Sequence, residues 1–272
     1  MTTDYSKVCD IYKYNADGSF PQVPERFLNA FNGNEKKARK RWEKTVKWRK
    51  KFKVDEIKEI DGKTVTHSNI LNLPNVNFNR IQQFMPQHVY SISKCGYPVL
   101  IEKFGQYKFQ EIFNNSQGNN AKFSENMIIW HYVYNQEWLW THFKNDEKSK
   151  SISIYDFEGF KIQPVVLTRG LPLFGKLTKI LSKYYVERNH KTFLINCSPF
   201  FMSVWNAASQ LIPKENRGKI KVYLNKDDAQ DDLLKEIDED QLPEEYGGTS
   251  PYSLDDSPMQ KQLNDFVKNY SA

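Results

Sequence analysis

Apolar and polar positions recur along this chain with two different periods. Over residues 24–33, PERFLNAFNG, the apolar Phe27, Leu28, Ala30 and Phe31 fall at helical spacing between Pro24 and Gly33, which predicts a short helix. Asn34 is placed to cap a second helix, in which Ala38, Trp42 and Val46 form an i, i+4 stripe. The next member of that stripe is Lys50, whose side chain is therefore expected to face inward. Residues 61–80 read as a linker. From about residue 96 the runs become short: YPVLIEKF (97–104), SISIYDF (151–157), KTFLINC (191–197) and KIKVYL (219–224) alternate with stretches long enough for helical crossovers. That alternation predicts βαβ units. In SISIYDF, Ser151, Ser153 and Tyr155 share one face of the strand, while Ile152, Ile154 and Asp156 share the other. The helix predicted over 123–144 starts at a Ser124 cap and is aromatic on more than one side, so it must be well covered or line a cavity. Residues 198–213, SPFFMSVWNAASQLIP, open with a Ser cap and a first-turn Pro, and set Phe200, Phe201, Val204 and Trp205 at helical spacings.

Composition narrows the class. The 272 residues are 39% hydrophobic and 14% aromatic, enough for one large domain or a domain with a small lobe. No apolar run reaches the roughly 20 residues of a membrane span, and the N-terminus lacks the layout of a signal peptide, so a soluble intracellular protein is expected. Cys9, Cys95 and Cys197 are odd in number and far apart, which suggests neither a disulfide framework nor a zinc site. The net charge of +6 is unevenly spread: residues 36–53 hold eleven Lys/Arg against Glu43, and residues 227–245 hold ten acids against Lys235. A basic helix interleaved with Trp42, Trp48 and Phe52 suits nucleic acid, an anionic membrane surface or a solvated face, the last being the commonest outcome.

Common enzyme signatures are missing. The chain contains no G-x-G-x-x-G, G-x-x-x-x-G-K-[ST], G-x-S-x-G or H-E-x-x-H, and His67, His88, His131, His142 and His190 are scattered. These observations point away from catalysis and from a bound metal.

In order along the chain, the basic helix ending KWRKKF, the runs GYPVLIEKFG, SISIYDFEG, YYVERNHKTFLINCSPF and RGKIKVYL, and the closing QLPEEYGG resemble the CRAL-TRIO family of lipid-transfer proteins from about residue 24 to 249. The resemblance implies an α/β fold: an N-terminal helical lobe over 1–75, a lipid-binding domain over 76–250, and a C-terminal tail over 251–272. Its mostly parallel sheet would floor a hydrophobic pocket closed by a gate helix, supplied here by 198–213. Phe200, Phe201 and Trp205 would meet the membrane, with flexible points at Gly170, Leu171, Pro172 and Gly175. In relatives holding phosphatidylinositol, a Glu in the Tyr-x-Glu-Arg run and two lysines handle the headgroup, and the matching residues here are Glu187, Lys50 and Lys219. For phosphatidylcholine, Ser151, Ser153 and Tyr132 match, but Val89 and Leu100 stand where tyrosines would enclose the choline. A thinner aromatic cage weakens capture of a quaternary ammonium, so phosphatidylinositol is the favoured ligand and phosphatidylcholine a lesser one. No cofactor beyond the bound phospholipid is implied. The expected protein is a cytoplasmic monomer that touches membranes transiently and does not bind nucleic acid. Two alternatives stay open: a lipid-sensing scaffold without net transfer, and a carrier of a sterol or isoprenoid.

Overall fold

The computed structural model describes residues 22–60, 63–68, 77–114, 123–143, 148–209 and 217–270. Helix α1 (Glu25–Ala30) ends in a turn at Gly33, whose φ of 78° is the left-handed conformation that glycine adopts without a side-chain penalty. Asn34 then caps α2 (Glu35–Lys51), its side chain accepting from the Lys37 N–H at 3.0 Å. On α2 the buried positions are Ala38, Trp42, Thr45, Val46 and Arg49, and Lys50 is exposed. The expectation of an inward Lys50 is therefore corrected. Each four-residue step overshoots a helical turn by about 40°, so three steps from Ala38 carry position 50 about 120° round the axis, and Arg49 takes the inward place.

The segment expected to be a linker, 61–80, contains β2 (Lys63–Ser68), which pairs antiparallel with β1 (Asp55–Ile60) just before it. Helix α3 (Phe78–Phe84) leads into the main sheet, which runs in the order β3 (Gln87–Ile92), β4 (Pro98–Glu102), β5 (Ser151–Asp156), β6 (Asn189–Ile195), β7 (Ile220–Val222). β3 is antiparallel to β4, and β4 to β7 are parallel. The four apolar runs seen in the sequence are the four parallel strands. Their crossovers are α4 (Phe109–Asn114) with α5 (Glu125–His142), then α6 (Leu171–Tyr184), then α7 (Pro199–Ala208). Ser124 and Ser198 cap α5 and α7 as the sequence predicts, accepting from Met127 N–H and Phe201 N–H. The points expected to flex before the gate lie instead in one helical segment, since a π-turn over Val166–Gly170 runs directly into α6.

One face of the sheet packs Val99, Ile101, Ile152, Ile154, Phe193 and Ile195 against α8 (Gln230–Glu236) and the segment through Tyr246. The other face meets α5 and α6 in a large aromatic core. The last helix, α9 (Pro258–Tyr270), differs from the expected tail: Leu263, Phe266 and Val267 enter that core. It also closes the outer edge of β3, because Gln260 accepts from the Val89 N–H at 3.0 Å and Ser257 donates to the Val89 carbonyl at 3.3 Å. An unpaired edge would otherwise invite pairing with another chain.

The helical lobe is tied to the sheet domain by a buried ion pair. Arg49 of α2 donates through both terminal nitrogens to the two Glu137 oxygens of α5, each at 2.8 Å, and Tyr185 donates to Glu137 at 2.6 Å. Trp48 stacks on Tyr184 beside it, ring centres 4.2 Å apart. A buried charge left without its partner is costly, whereas removing both together is often nearly neutral. Arg49→Met is therefore expected to lower unfolding free energy by about 3–5 kcal/mol in a denaturant titration, with Arg49→Met/Glu137→Leu recovering most of the loss. A double variant as unstable as the single one would overturn this account of the joint.

Candidate functional site

The sheet face turned toward α5, α6 and α7 is built from two rows of neighbouring strand positions. Leu100, Ser153, Thr192 and Ile220 form the first row, and Glu102, Tyr155, Leu194 and Val222 the second. The alternation read from SISIYDF is the one observed, with Ile152 and Ile154 buried on the opposite face. A lane of polar groups thus runs along β5 through Ser151, Ser153 and Tyr155, stepping about 7 Å between successive same-face residues.

The lane begins at the N-terminal edge of the parallel strands. There Lys219 donates to Glu187 at 3.0 Å, and Lys150 lies 4.0 Å from the same carboxylate. Glu187 sits at φ 56°, a left-handed conformation that costs a non-glycine residue about 1–2 kcal/mol and marks a position where the surroundings impose the backbone. Its sequence neighbour Arg188 is not its ion-pair partner: the guanidinium lies over Trp140, 4.3 Å from the ring centre, and donates to the Ser149 carbonyl. Ser151 donates to the Arg188 carbonyl at 3.2 Å, which joins it to the same edge. The structure therefore brings together Glu187, Lys219 and Ser151. Lys50 points outward on α2, and among the described residues no hydrogen bond or ion pair links it to Glu187 or Lys219.

Farther along the lane lies a cluster of which the sequence reading names only Tyr132 as a site residue. The Glu102 carboxyl accepts from Tyr107 at 2.6 Å and from Tyr132 at 3.0 Å, and Tyr155 is its register partner on the neighbouring strand. Tyr107 and Tyr132 hydroxyls are 3.1 Å apart, and Gln87 donates to Tyr107 at 3.3 Å. Asn135 extends the network from Gln87 to His131, whose ring is pushed down to about 3 by burial and stays neutral. Burial pushes the Glu102 carboxyl up to about 7, partly opposed by the tyrosine hydrogen bonds. Strand alternation through YPVLIE sets Leu100 and Glu102 on one face, so an acid closing an apolar run was the available signal.

At the far side of this face, Phe201, Met202 and Trp205 of α7 pack half-buried against Phe157, Leu194 and Val222, with the Phe157 and Phe201 rings 4.8 Å apart. Phe200 is 59% exposed. The three gate aromatics are thus split between surface and sheet. The rest of the predicted gate segment, 210–213, lies outside the described residues. Val89 is buried against α9, so a tyrosine there would overpack, whereas Leu100 sits half-buried on the lane side.

Glu102 gives the fold a specific pH dependence. Below about pH 4.5 its carboxyl is neutral folded or unfolded. As pH rises the unfolded chain loses the proton first, while the folded chain keeps it to about 7. Stability falls across that window by about 3 kcal/mol and is flat above it. Glu102→Gln cannot ionise, so the melting temperature of the parent relative to this variant is expected to decline from pH 5 to 7 and then level off. A difference independent of pH would show that Glu102 is not held protonated.

Among the described residues no helix is long and apolar enough to cross a membrane, and no group of three or more His, Cys, Asp and Glu converges on one point. Comparison with known proteins agrees with the architecture. The solved structure of Sfh5 superposes with a TM-score of 0.62 over 96% of this chain and 91% of its own, at 14% identity, a likeness of fold. The Arabidopsis thaliana phosphatidylinositol/phosphatidylcholine transfer protein SFH4 is 26% identical over 230 residues, covering 82% of this chain and 34% of its own length. The SEC14 cytosolic factor of Eremothecium gossypii is 25% identical over 239 residues, 84% of this chain and 69% of that one. The chain thus spans about a third of the length of the Arabidopsis relative. Residues 89–248, more than half of the chain, match the model of the CRAL/TRIO domain, and the chain belongs to that family.

Proposed function

We propose that this protein encloses one phospholipid in the space between the sheet face and α5 to α7 and carries it between membranes, with phosphatidylinositol favoured. The observation that carries the reading is the Glu187–Lys219 pair at the edge of a face that meets a large aromatic core and carries a single lane of polar groups. An ammonium attracts a lipid phosphate, and a carboxylate accepts from inositol hydroxyls, so one pair addresses both parts of that headgroup. The similarity to SFH4, a phosphatidylinositol/phosphatidylcholine transfer protein, supports the same class of ligand. Lys50, exposed on α2, is assigned no headgroup contact.

The work such a protein does is solvation. Each acyl methylene costs about 0.8 kcal/mol in water, so a diacyl lipid leaves a bilayer usefully fast only if another apolar phase receives its chains. The aromatic core supplies that phase, and α7 is the element that would move to admit the chains. A second ligand is favoured by the Glu102 cluster. Three tyrosines and a carboxyl surround one point, which suits a cationic headgroup such as choline even with Val89 and Leu100 in place of aromatics.

Extraction of the purified protein with organic solvent and mass spectrometry of the extract is expected to yield phosphatidylinositol; a sterol or isoprenoid alone would overturn the reading. Lys219→Ala is expected to lower phosphatidylinositol transfer between vesicles at least tenfold. Stability should change by about 1 kcal/mol or less, because a half-exposed ion pair contributes little. Transfer equal to the parent's would remove the headgroup assignment. On the gate, Phe200→Ala is expected to slow transfer with the melting temperature nearly unchanged, whereas Phe201→Ala lowers the melting temperature because that ring packs on the sheet. A collapsed melting temperature for Phe200→Ala would refute the surface role.

A further inference from the structure

The outer side of the crossing between α2 and α6 carries a concentration of positive charge that lipid carriage does not explain. The crossing is marked by the Trp48–Tyr184 stack and by Thr45, whose hydroxyl donates to the Arg41 carbonyl of its own helix at 3.0 Å and lies 3.4 Å from the Lys183 carbonyl. Arg41 and Lys44 of α2 and Lys179 and Lys183 of α6 meet there. The Lys183 ammonium is held below its ordinary pKa by partial desolvation and then by the charges of Lys179, Arg41 and Lys44, and among the described residues no acidic group acts on it. Four cations gathered with no countercharge among the described residues favour an anionic partner.

The same helical segment identifies the partner's second property. Leu173 and Leu177 mark the inward side of α6, while Leu171, Lys179 and Lys183 fall on its outward half. Leu171 is 53% exposed, and Leu167, one turn earlier in the π-turn, is 52% exposed. Two neighbouring exposed leucines on the same helical segment as Lys179 and Lys183 match a bilayer surface, where cations meet phosphates and aliphatic side chains enter the acyl boundary. A nucleic acid offers phosphates but no apolar phase for the leucines. The acidic stretch over 227–245 includes α8, which covers the opposite face of the sheet, so the molecule carries a charge asymmetry that turns the basic side toward an anionic surface.

We propose that the α2–α6 face docks on an anionic phospholipid bilayer, with Arg41, Lys44, Lys179 and Lys183 engaging the headgroups and Leu167 and Leu171 the acyl boundary. This docking is separate from the cavity and holds for whichever lipid the cavity carries.

The test is flotation of the full chain with vesicles of phosphatidylcholine alone or of phosphatidylcholine mixed with phosphatidylserine, with duplex DNA as a parallel probe. The parent is expected to bind mixed vesicles at least tenfold more tightly than neutral ones. Lys44→Gln/Lys179→Gln/Lys183→Gln should lose about a hundredfold on mixed vesicles, from about 1 kcal/mol for each basic side chain near an anionic surface. The matching triple Lys→Arg variant should bind as the parent does, which separates charge from folding. Leu167→Ser/Leu171→Ser should weaken vesicle binding and leave any DNA binding unchanged. Equal binding to both vesicle types, or a triple Gln variant that binds like the parent, would overturn the proposal. So would a leucine variant that binds vesicles normally while the lysines matter only for DNA. Mass spectrometry of the lipid retained by each variant reads the cavity separately, so a failure of docking is distinguishable from a failure of lipid carriage.

Discussion

Everything that positions the site passes through the buried Arg49–Glu137 pair. Two opposite charges with matched forks and a tyrosine hydroxyl are stable in a dry interior as a set, because the desolvation of each is offset only by the others. Their location matters more than their energy. Arg49 belongs to the helical lobe, Glu137 to the crossover helix over the sheet, and Tyr185 to the turn entering β6. Val186, the next residue, packs into the lobe core with Phe27, Trp42 and Val46. Glu187 follows in its left-handed conformation, already aimed at Lys219. The lobe therefore sets the backbone of the headgroup edge rather than decorating the fold from outside.

The polar lane along β5 stands out because its surroundings are so apolar. A hydroxyl or carboxyl in such a place needs a partner: Ser151 has the Arg188 carbonyl, and the Glu102 carboxyl at the end of the lane has Tyr107 and Tyr132. These partners are held by the fold itself, so a polar group entering the lane would exchange hydrogen bonds rather than fill unmet ones. Under the lipid carriage proposed above, affinity would rest on the hydrocarbon chains, and selectivity on the difference between two sets of polar contacts.

The parallel strands are legible because each is a short run rich in β-branched and aromatic residues between helix-length stretches, and the helix starts are legible because Asn34, Ser124 and Ser198 carry their own caps. β3 is not, since QHVYSI mixes polar and apolar residues and is stabilised by Gln260 and Ser257, about 170 residues away. Lys50 was misplaced because a stripe counted in fours drifts off a helix of 3.6 residues per turn. Glu187 and Lys219 are recognisable by residue type, but their contact depends on strand register, which no local pattern encodes. The Glu102 cluster gathers side chains from β4, β5, α5 and the loop before α4, and such convergence is a property of the tertiary structure alone.

The closure of β3 by α9 also has a consequence in time. During synthesis β3 and β4 leave the ribosome early, yet the side chains that occupy the outer edge of β3 are made 168 and 171 residues later. Until then the nascent sheet presents an open backbone edge beside a hydrophobic face, the state in which chains pair with the wrong neighbour. The edge of β3 is therefore closed late in assembly, when α9 docks and its side chains reach the Val89 backbone.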